Sequence, residues 1–389
     1  MANPNHEHIR YHLALSLAPK VGPGVFKAIV AYAGSPKAFF EIPKAKAAKI
    51  PKVGSKLLEI RKSADELLKK ADDLIDQAEK KNFQILNSSH PHFPQRLKTQ
   101  EDHPVLLFYK GKSNLIFDRT VGIVGTRSAT SYGKTATKKI VEDLAIYQPA
   151  IISGLAYGID IEAHRAALHA GLPTIAVMGS PIDQIYPAVH RKTAEQLQET
   201  GAILSEYAPG TKMMPGNFPA RNRIIAGLSD ALIVVEAAAK GGALITAEIA
   251  FSYDKDVFAV PGNLQSTFSE GCNHLIKKMK ASIYTGPNDI AEALFWSKPG
   301  EEETQKPKLD LSDREAGEKA ILTLLQENGE SEIDQISYAT DIPLGLLSSK
   351  LLSLEFEGIV KSLPGKSLNY WFSQKKRRYF VLSFRISLG

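Results

Sequence analysis

Val121-Gly122-Ile123-Val124-Gly125-Thr126-Arg127 decides how this 389-residue chain is read. A short apolar run ends in glycine, then a hydroxyl and an arginine, and a helical pattern begins near Tyr132. Outward from it, apolar runs of strand length at 150–152, 173–178, 202–204, 231–235 and 257–260 alternate with helical patterns. That alternation predicts βαβ units around a buried, Rossmann-like parallel sheet with helices on both faces. In such sheets the binding crevice lies outside the carboxyl ends of the strands. Those ends carry Gly125-Thr126-Arg127, Ser153-Gly154, Gly179-Ser180, Ser205-Glu206 and Glu236.

The first turn fails both common nucleotide fingerprints. A dinucleotide loop needs G-x-G-x-x-G, and only Gly122 and Gly125 are present; a Walker A loop would need glycine at Ser128 ahead of Gly133-Lys134-Thr135. What remains is a tight glycine turn with Thr126, Arg127, Ser128, Thr130 and Ser131 before a helix, a generic anion site of exposed amides and hydroxyls. Ser153-Gly154 repeats the design before the helix opened by Gly158 and Asp160. His164 on that helix is read as a packed residue and left out of the site. The polar run 205–212 leads to a second focus, Asn217-Phe218-Pro219-Ala220-Arg221-Asn222-Arg223. Arg221 and Arg223 are two apart, so on a helix they point about 200° apart and cannot serve one ligand from one face. One reaches a phosphate while the other anchors to Glu206 or Asp230. Phe218 is either a core wedge or an exposed platform for a nucleobase. Lys240-Gly241-Gly242-Ala243 opens a later helix and allows another close backbone approach.

Around the sheet lie smaller modules. Residues 1–81 read as a helical, helix-hairpin-helix or SAM-like domain, with Val21-Gly22-Pro23-Gly24 and Val53-Gly54-Ser55 as its turns; the second lacks the second glycine. Strands at 83–86 and 105–109 lead into the sheet domain, 82–296, which a strand at 282–284 closes. A Pro-, Glu- and Lys-rich linker at 297–312 precedes a winged-helix pattern at 313–373, with helices at 314–328, 332–340 and 343–357 and strands at 359–363 and 368–372. A basic then apolar tail, 374–389, has no placement. The net charge is +6, and residues 9–81, with fifteen Lys/Arg against eight Asp/Glu, account for the whole excess, which hints at a polyanion partner. The winged helix is acidic, with Lys350 beside Glu355 and Glu357 on its third helix, so protein contact suits it better than DNA. Lone Cys272 excludes a disulfide framework and cysteine-based zinc site, and no apolar run approaches the ~20 residues of a membrane helix. With no secretory pattern at the N-terminus, a cytoplasmic protein without metal or cofactor is expected.

His92-Phe93-Pro94-Gln95-Arg96-Leu97, 121–127, Ser153–Asp160, 205–211, 217–230, Gly241–Ala247 and Pro261-Gly262-Asn263 together resemble the bacterial DNA-processing protein A family (DprA, also called Smf), in order and spacing over roughly 83–290. The resemblance implies a binding protein rather than an enzyme. It would bind single-stranded DNA independently of sequence during natural transformation, displace single-strand-binding protein and load RecA recombinase. It implies a phosphate pocket of Gly125, Thr126, Arg127, Ser153 and Gly154, with Lys212, Phe218, Arg221, Asn222 and Arg223 across the crevice. It also implies a homodimer, for which 271–276 is the candidate surface. The rival class is an enzyme. Glycine pairs like Gly241-Gly242 on such sheets resemble LOG-type phosphoribohydrolases of nucleoside monophosphates, with Glu206, Glu236 or Glu248 as the acid. Ala243-Leu244 departs from that family's signature. A purely structural scaffold is a third reading, and it leaves the three crevice arginines unexplained.

Overall fold

The computed structural model describes residues 4–298, 311, 314–328, 331–357, 359–363 and 367–370. The chain forms two compact units, Met1–Thr304 and Gln305–Gly389. In the first, β1 (Gln84–Asn87), β2 (Leu106–Gly111), β3 (Thr120–Val124), β4 (Ala150–Ser153), β5 (Thr174–Met178), β6 (Ala202–Ser205), β7 (Ala231–Val234), β8 (Asp256–Ala259) and β9 (Ser282–Ile283) build a nine-stranded sheet. Its order is β1-β2-β6-β5-β4-β3-β7-β8-β9. The seven strands from β6 to β9 run parallel, whereas β2 pairs antiparallel with both β1 and β6. The sheet is therefore mixed at one edge. After β3 the chain steps outward through β4, β5 and β6, then returns to lay β7 on the other side of β3. That reversal creates the switch-point crevice at the ends of β3 and β7.

Alternation along β3 sets the two layers. Val121 and Ile123 pack with Ile140, Val141 and Leu144 of the Ser131–Leu144 helix and Ala163, Ala166 and Ala167 of the Ile159–His169 helix. Val124, with Leu232 and Val234, meets Ile224, Ile225 and Leu228 of the Asn217–Leu228 helix and Ala243, Ala247 and Ala250 of the Gly242–Ser252 helix. Most of these side chains are at most 4% exposed, and fully burying each larger one contributes about 1.5–3 kcal/mol.

The helical head is fused to this sheet rather than set apart from it. Leu13, Phe39 and Leu74 share one core with Phe83, Phe108, Met178 and Ile203. Its two glycine corners repeat closely: Gly22 and Gly54, with φ −89° and ψ 175° and 176°, cap the Pro23–Ala33 and Ser55–Ile60 helices.

The second unit is a winged helix. Helices Ala316–Asn328, Ile333–Thr340 and Leu344–Phe356 pack through Ile321, Leu325, Ile336, Leu347 and Leu351. Strands β10 (Ser331–Glu332), β11 (Val360–Leu363) and β12 (Ser367–Tyr370) form its sheet in the order β10-β12-β11. On the third helix Lys350 is bound to Glu315 at 2.5 Å. Most of the expected linker, residues 364–366 between the two wing strands, the end of the second expected strand at 371–372 and the tail lie outside the described residues.

Candidate nucleic-acid interface

The crevice at the switch point holds a cavity of about 450 Å³. The β3 turn (Gly125, Thr126, Arg127), the start of the Asn217–Leu228 helix (Phe218, Arg221, Asn222) and the segment after β7 (Ala237, Lys240, Gly241, Gly242) line it, with Ala156 and Asp160 at its base.

The β3 turn is held in place from below. The Thr126 amide donates to the Glu236 carbonyl at 2.7 Å, and the Thr126 carbonyl accepts from Ile159 N at 3.1 Å. The Glu236 carboxylate, 2% exposed, accepts from Thr130 N (3.0 Å) and Thr130 Oγ1 (2.6 Å). Thr130 in turn caps the Ser131–Leu144 helix by accepting from Gly133 N. Gly158 is required here twice over. Its φ is +77°, and a Cβ there would collide with the Thr126 carbonyl.

Fixed in this way, Arg127 projects from the turn. It is exposed, makes no ion pair with a described residue, and its guanidinium lies 5.9 Å from the Phe218 ring centroid. Phe218 is half-buried, so the two readings of it merge. It rests against Gly179, where a Cβ would stand 2.8 Å from its ring, and keeps part of the ring open. Lys240, also exposed, adds a second positive charge to the cavity wall. The amino ends of the Ile159–His169, Asn217–Leu228 and Gly242–Ser252 helices all open here, so their free amides and dipoles add to the same sign.

Arg221 has a different role from Arg127. It is 4% exposed and donates from Nη1 to Gly154 O at 2.6 Å and to Val177 O. Burial pulls its guanidinium down to about 10, against the opposing pull of Asp160, so it stays charged at neutral pH. Asp160, buried at 6% exposed, is raised by that burial despite Arg221. Gly154 is what lets them approach, because a Cβ there would lie 2.5 Å from both Arg221 Nη1 and Asp160 Oδ2. Asn222, 7% exposed, bridges to the neighbouring helix by donating to Gly242 O at 3.2 Å.

The structure does not bring every expected residue to this cavity. Ser153 is fully buried, and its hydroxyl donates to Ile123 O at 2.6 Å, bonding β4 to β3. Lys212 is exposed outside the cavity lining. Arg223 points to the far side of its helix, as the 200° offset requires. There it binds Glu206 at 2.6 Å and lines a separate cavity of about 1180 Å³ shared with the helical head. Of the two expected anchors Glu206 is the one used, whereas Asp230 pairs with Arg96 at 2.6 Å. In 271–276, Gly271, Cys272 and Leu275 pack inward, leaving His274 as the exposed residue. The sequence marks Asp160 and Lys240 as helix-opening residues without counting them in the pocket, and does not single out Ala156; all three line it. The Lys240-Gly241-Gly242 run just past a strand end was the available signal for Lys240.

The three glutamates of the enzymatic reading are engaged elsewhere. Glu206 holds Arg223, Glu236 holds Thr130, and Glu248 holds Lys280 at 2.6 Å; none lines the cavity. Asp160 is the cavity's carboxylate among the described residues. No group of three or more possible metal ligands occurs among them, and no described helix is long and apolar enough to cross a membrane.

Comparison with known proteins identifies the family. The DNA recombination-mediator protein A family model matches residues 84–295, and a DprA winged helix domain model matches 305–366. Protein Smf of Synechocystis sp. is 36% identical over 324 residues, covering 75% of this chain and 81% of that protein. DNA processing protein DprA of Streptococcus pneumoniae is 41% identical over 214 residues, covering 55% of this chain and 74% of that protein. The X-ray structure of DprA from Streptococcus pneumoniae superposes with a TM-score of 0.63 at 32% identity, over 75% of this chain and 98% of that one. The chain therefore belongs to the DNA recombination-mediator protein A family, the DprA/Smf group of DNA-processing proteins.

Proposed function

We propose that this protein binds single-stranded DNA without sequence preference and, in the cytoplasm, acts as a homodimer that passes the strand to RecA recombinase in place of single-strand-binding protein. The observation that carries the binding step is Arg127, an exposed guanidinium with no ion pair to a described residue, set beside the open part of the Phe218 ring. A phosphate satisfies the arginine, the helix amino ends and Lys240; a base satisfies the ring. The cavity, at roughly 450 Å³, is in the range that holds a single small ligand, enough for one nucleotide of a strand. Contacts to phosphate and to a π-face carry no sequence code. With Glu206, Glu236 and Glu248 committed to structural partners, the arrangement favours holding a phosphodiester over hydrolysing a nucleotide. The recombinase step rests on the family resemblance alone.

The test is competition followed by transfer. Unlabelled single strand should displace a labelled oligonucleotide at far lower concentration than duplex, and the protein should speed RecA filament growth on a strand precoated with single-strand-binding protein. Equal competition by duplex would contradict the binding reading. Unchanged filament growth would contradict the transfer reading alone. Release of free base from a nucleoside monophosphate would restore the enzymatic reading.

A further inference from the structure

Beyond Phe218, outside the cavity lining, stands a second aromatic that the binding site as described leaves unused. Tyr186 is 46% exposed, with its ring centroid 5.5 Å from that of Phe218 and the two planes inclined by 52°. An exposed tyrosine is ordinary on a surface, but this one is carried on a pinned loop. Ser180 Oγ donates to Gln184 O (2.6 Å), Ser205 Oγ donates to Ser180 O (2.7 Å), Ile182 N donates to Tyr207 O (3.2 Å), and His190 Nδ1 donates to Leu155 O (2.8 Å). The loop's acidic residue, Asp183, is 3.7 Å from Lys81. The loop that carries Tyr186 is thus held before any ligand arrives, so little loop ordering is lost on binding, which is how a preorganised aromatic anchor gains affinity.

We infer that Tyr186 is a second base platform, so that the strand leaves the cavity over Phe218 and lays the next base on Tyr186. The inference rests on the single-strand reading above and extends it from one nucleotide to a step of two. Because the rings are inclined by 52°, bases laid on both cannot stay stacked on each other. The strand is therefore opened at this step, whatever its bases.

The test uses the full-length chain with Tyr186→Ala, Tyr186→Trp and Arg127→Ala. Each is titrated with a thymidine oligonucleotide and with a wholly abasic strand of the same length. Stacking on one ring is worth enough for Tyr186→Ala to weaken thymidine binding roughly tenfold. The inference predicts that loss, recovery with tryptophan, and unchanged binding of the abasic strand. Equal losses on both strands would reduce Tyr186 to a prop for Phe218 and overturn the inference, as would wild-type affinity in Tyr186→Ala. If Arg127→Ala left both strands unaffected, the crevice reading itself would fall, a result separable from either Tyr186 outcome.

Discussion

Arg221 donates from Nη1 to the Gly154 carbonyl at 2.6 Å, which makes this arginine a strut between the β4 turn and the Asn217–Leu228 helix. Its second acceptor is Val177 O, and Asp160 sits nearby with its ionised form disfavoured by burial. Truncating the strut strands two carbonyls and removes the cation beside Asp160. Arg221→Ala should lower the unfolding free energy by roughly 3 kcal/mol in urea titrations. Gly154→Ala should be destabilising too, because its Cβ meets the guanidinium and the carboxylate together. A fully stable Arg221→Ala protein would show that the strut is dispensable.

Arg223 gives the opposite result from the same helix. Arg223 and Glu206 side chains are 14% and 19% exposed, so the pair is partly shielded from solvent. Arg223→Gln should cost on the order of 1–3 kcal/mol in stability, between the ranges for exposed and buried pairs. Its affinity for single strands should stay within about twofold of wild type, since a salt slope of one phosphate contact is not at stake. A large affinity loss at intact stability would place the DNA path through the larger cavity instead.

Two buried histidines set an acid limit. Burial, with Arg221 and His190 beside it, pushes His164 down to about 3, and burial pushes His12 down to about 4. Both stay neutral in the fold while an unfolded histidine takes up a proton near ~6.5. Stability is therefore full above that pH, falls as pH drops below it, and keeps falling toward the folded values. Between pH 7 and pH 5 each should cost about 2 kcal/mol. Asp160 acts with the opposite sign. Its folded pKa is raised, so the cost of burying it shrinks as pH falls. Urea midpoints at the two pH values should converge by about half for His164→Gln; no convergence would remove His164 from the acid response.

The winged helix should be separable from strand binding. It forms its own compact unit with its own core, and the cation on its third helix is bound to Glu315. Deleting 305–389 should leave single-strand affinity within about threefold in a polarisation titration, because no phosphate contact is assigned there. A loss of tenfold or more would assign DNA contacts to that unit. The head offers no such clean cut, because Leu13, Phe39 and Leu74 share a core with the sheet. Its role in binding is better tested by charge reversal at exposed Lys52 and Lys56.

What could be read in advance follows from periodicity. Short apolar runs gave every strand from β1 to β9 within a residue or two, and the two-residue spacing of Arg221 and Arg223 already forced them to opposite sides. Directions that depend on neighbours were not legible. β2 reads like any other apolar strand, and nothing in it says that it runs antiparallel to β6. Ser153 looked like a ligand residue because it ends a strand beside glycine. The pleat turned its hydroxyl toward Ile123 O instead. Arg221 carries the charge of a phosphate contact, but its burial against Gly154 depends on how two distant segments pack. The head–sheet fusion was hidden for the same reason, since apolar stripes on helices do not name the surface they cover.

The most direct measurement is the salt dependence of single-strand affinity for wild type and Arg127→Ala, with duplex in parallel and thermal midpoints recorded. Wild type should prefer the single strand, and Arg127→Ala should weaken that binding several-fold. The log–log salt slope should become shallower by about one, with an unchanged thermal midpoint, because the Arg127 head group is exposed. Equal affinity for both DNAs, with a slope indifferent to Arg127, would contradict single-strand binding in the crevice and move the DNA site off the sheet.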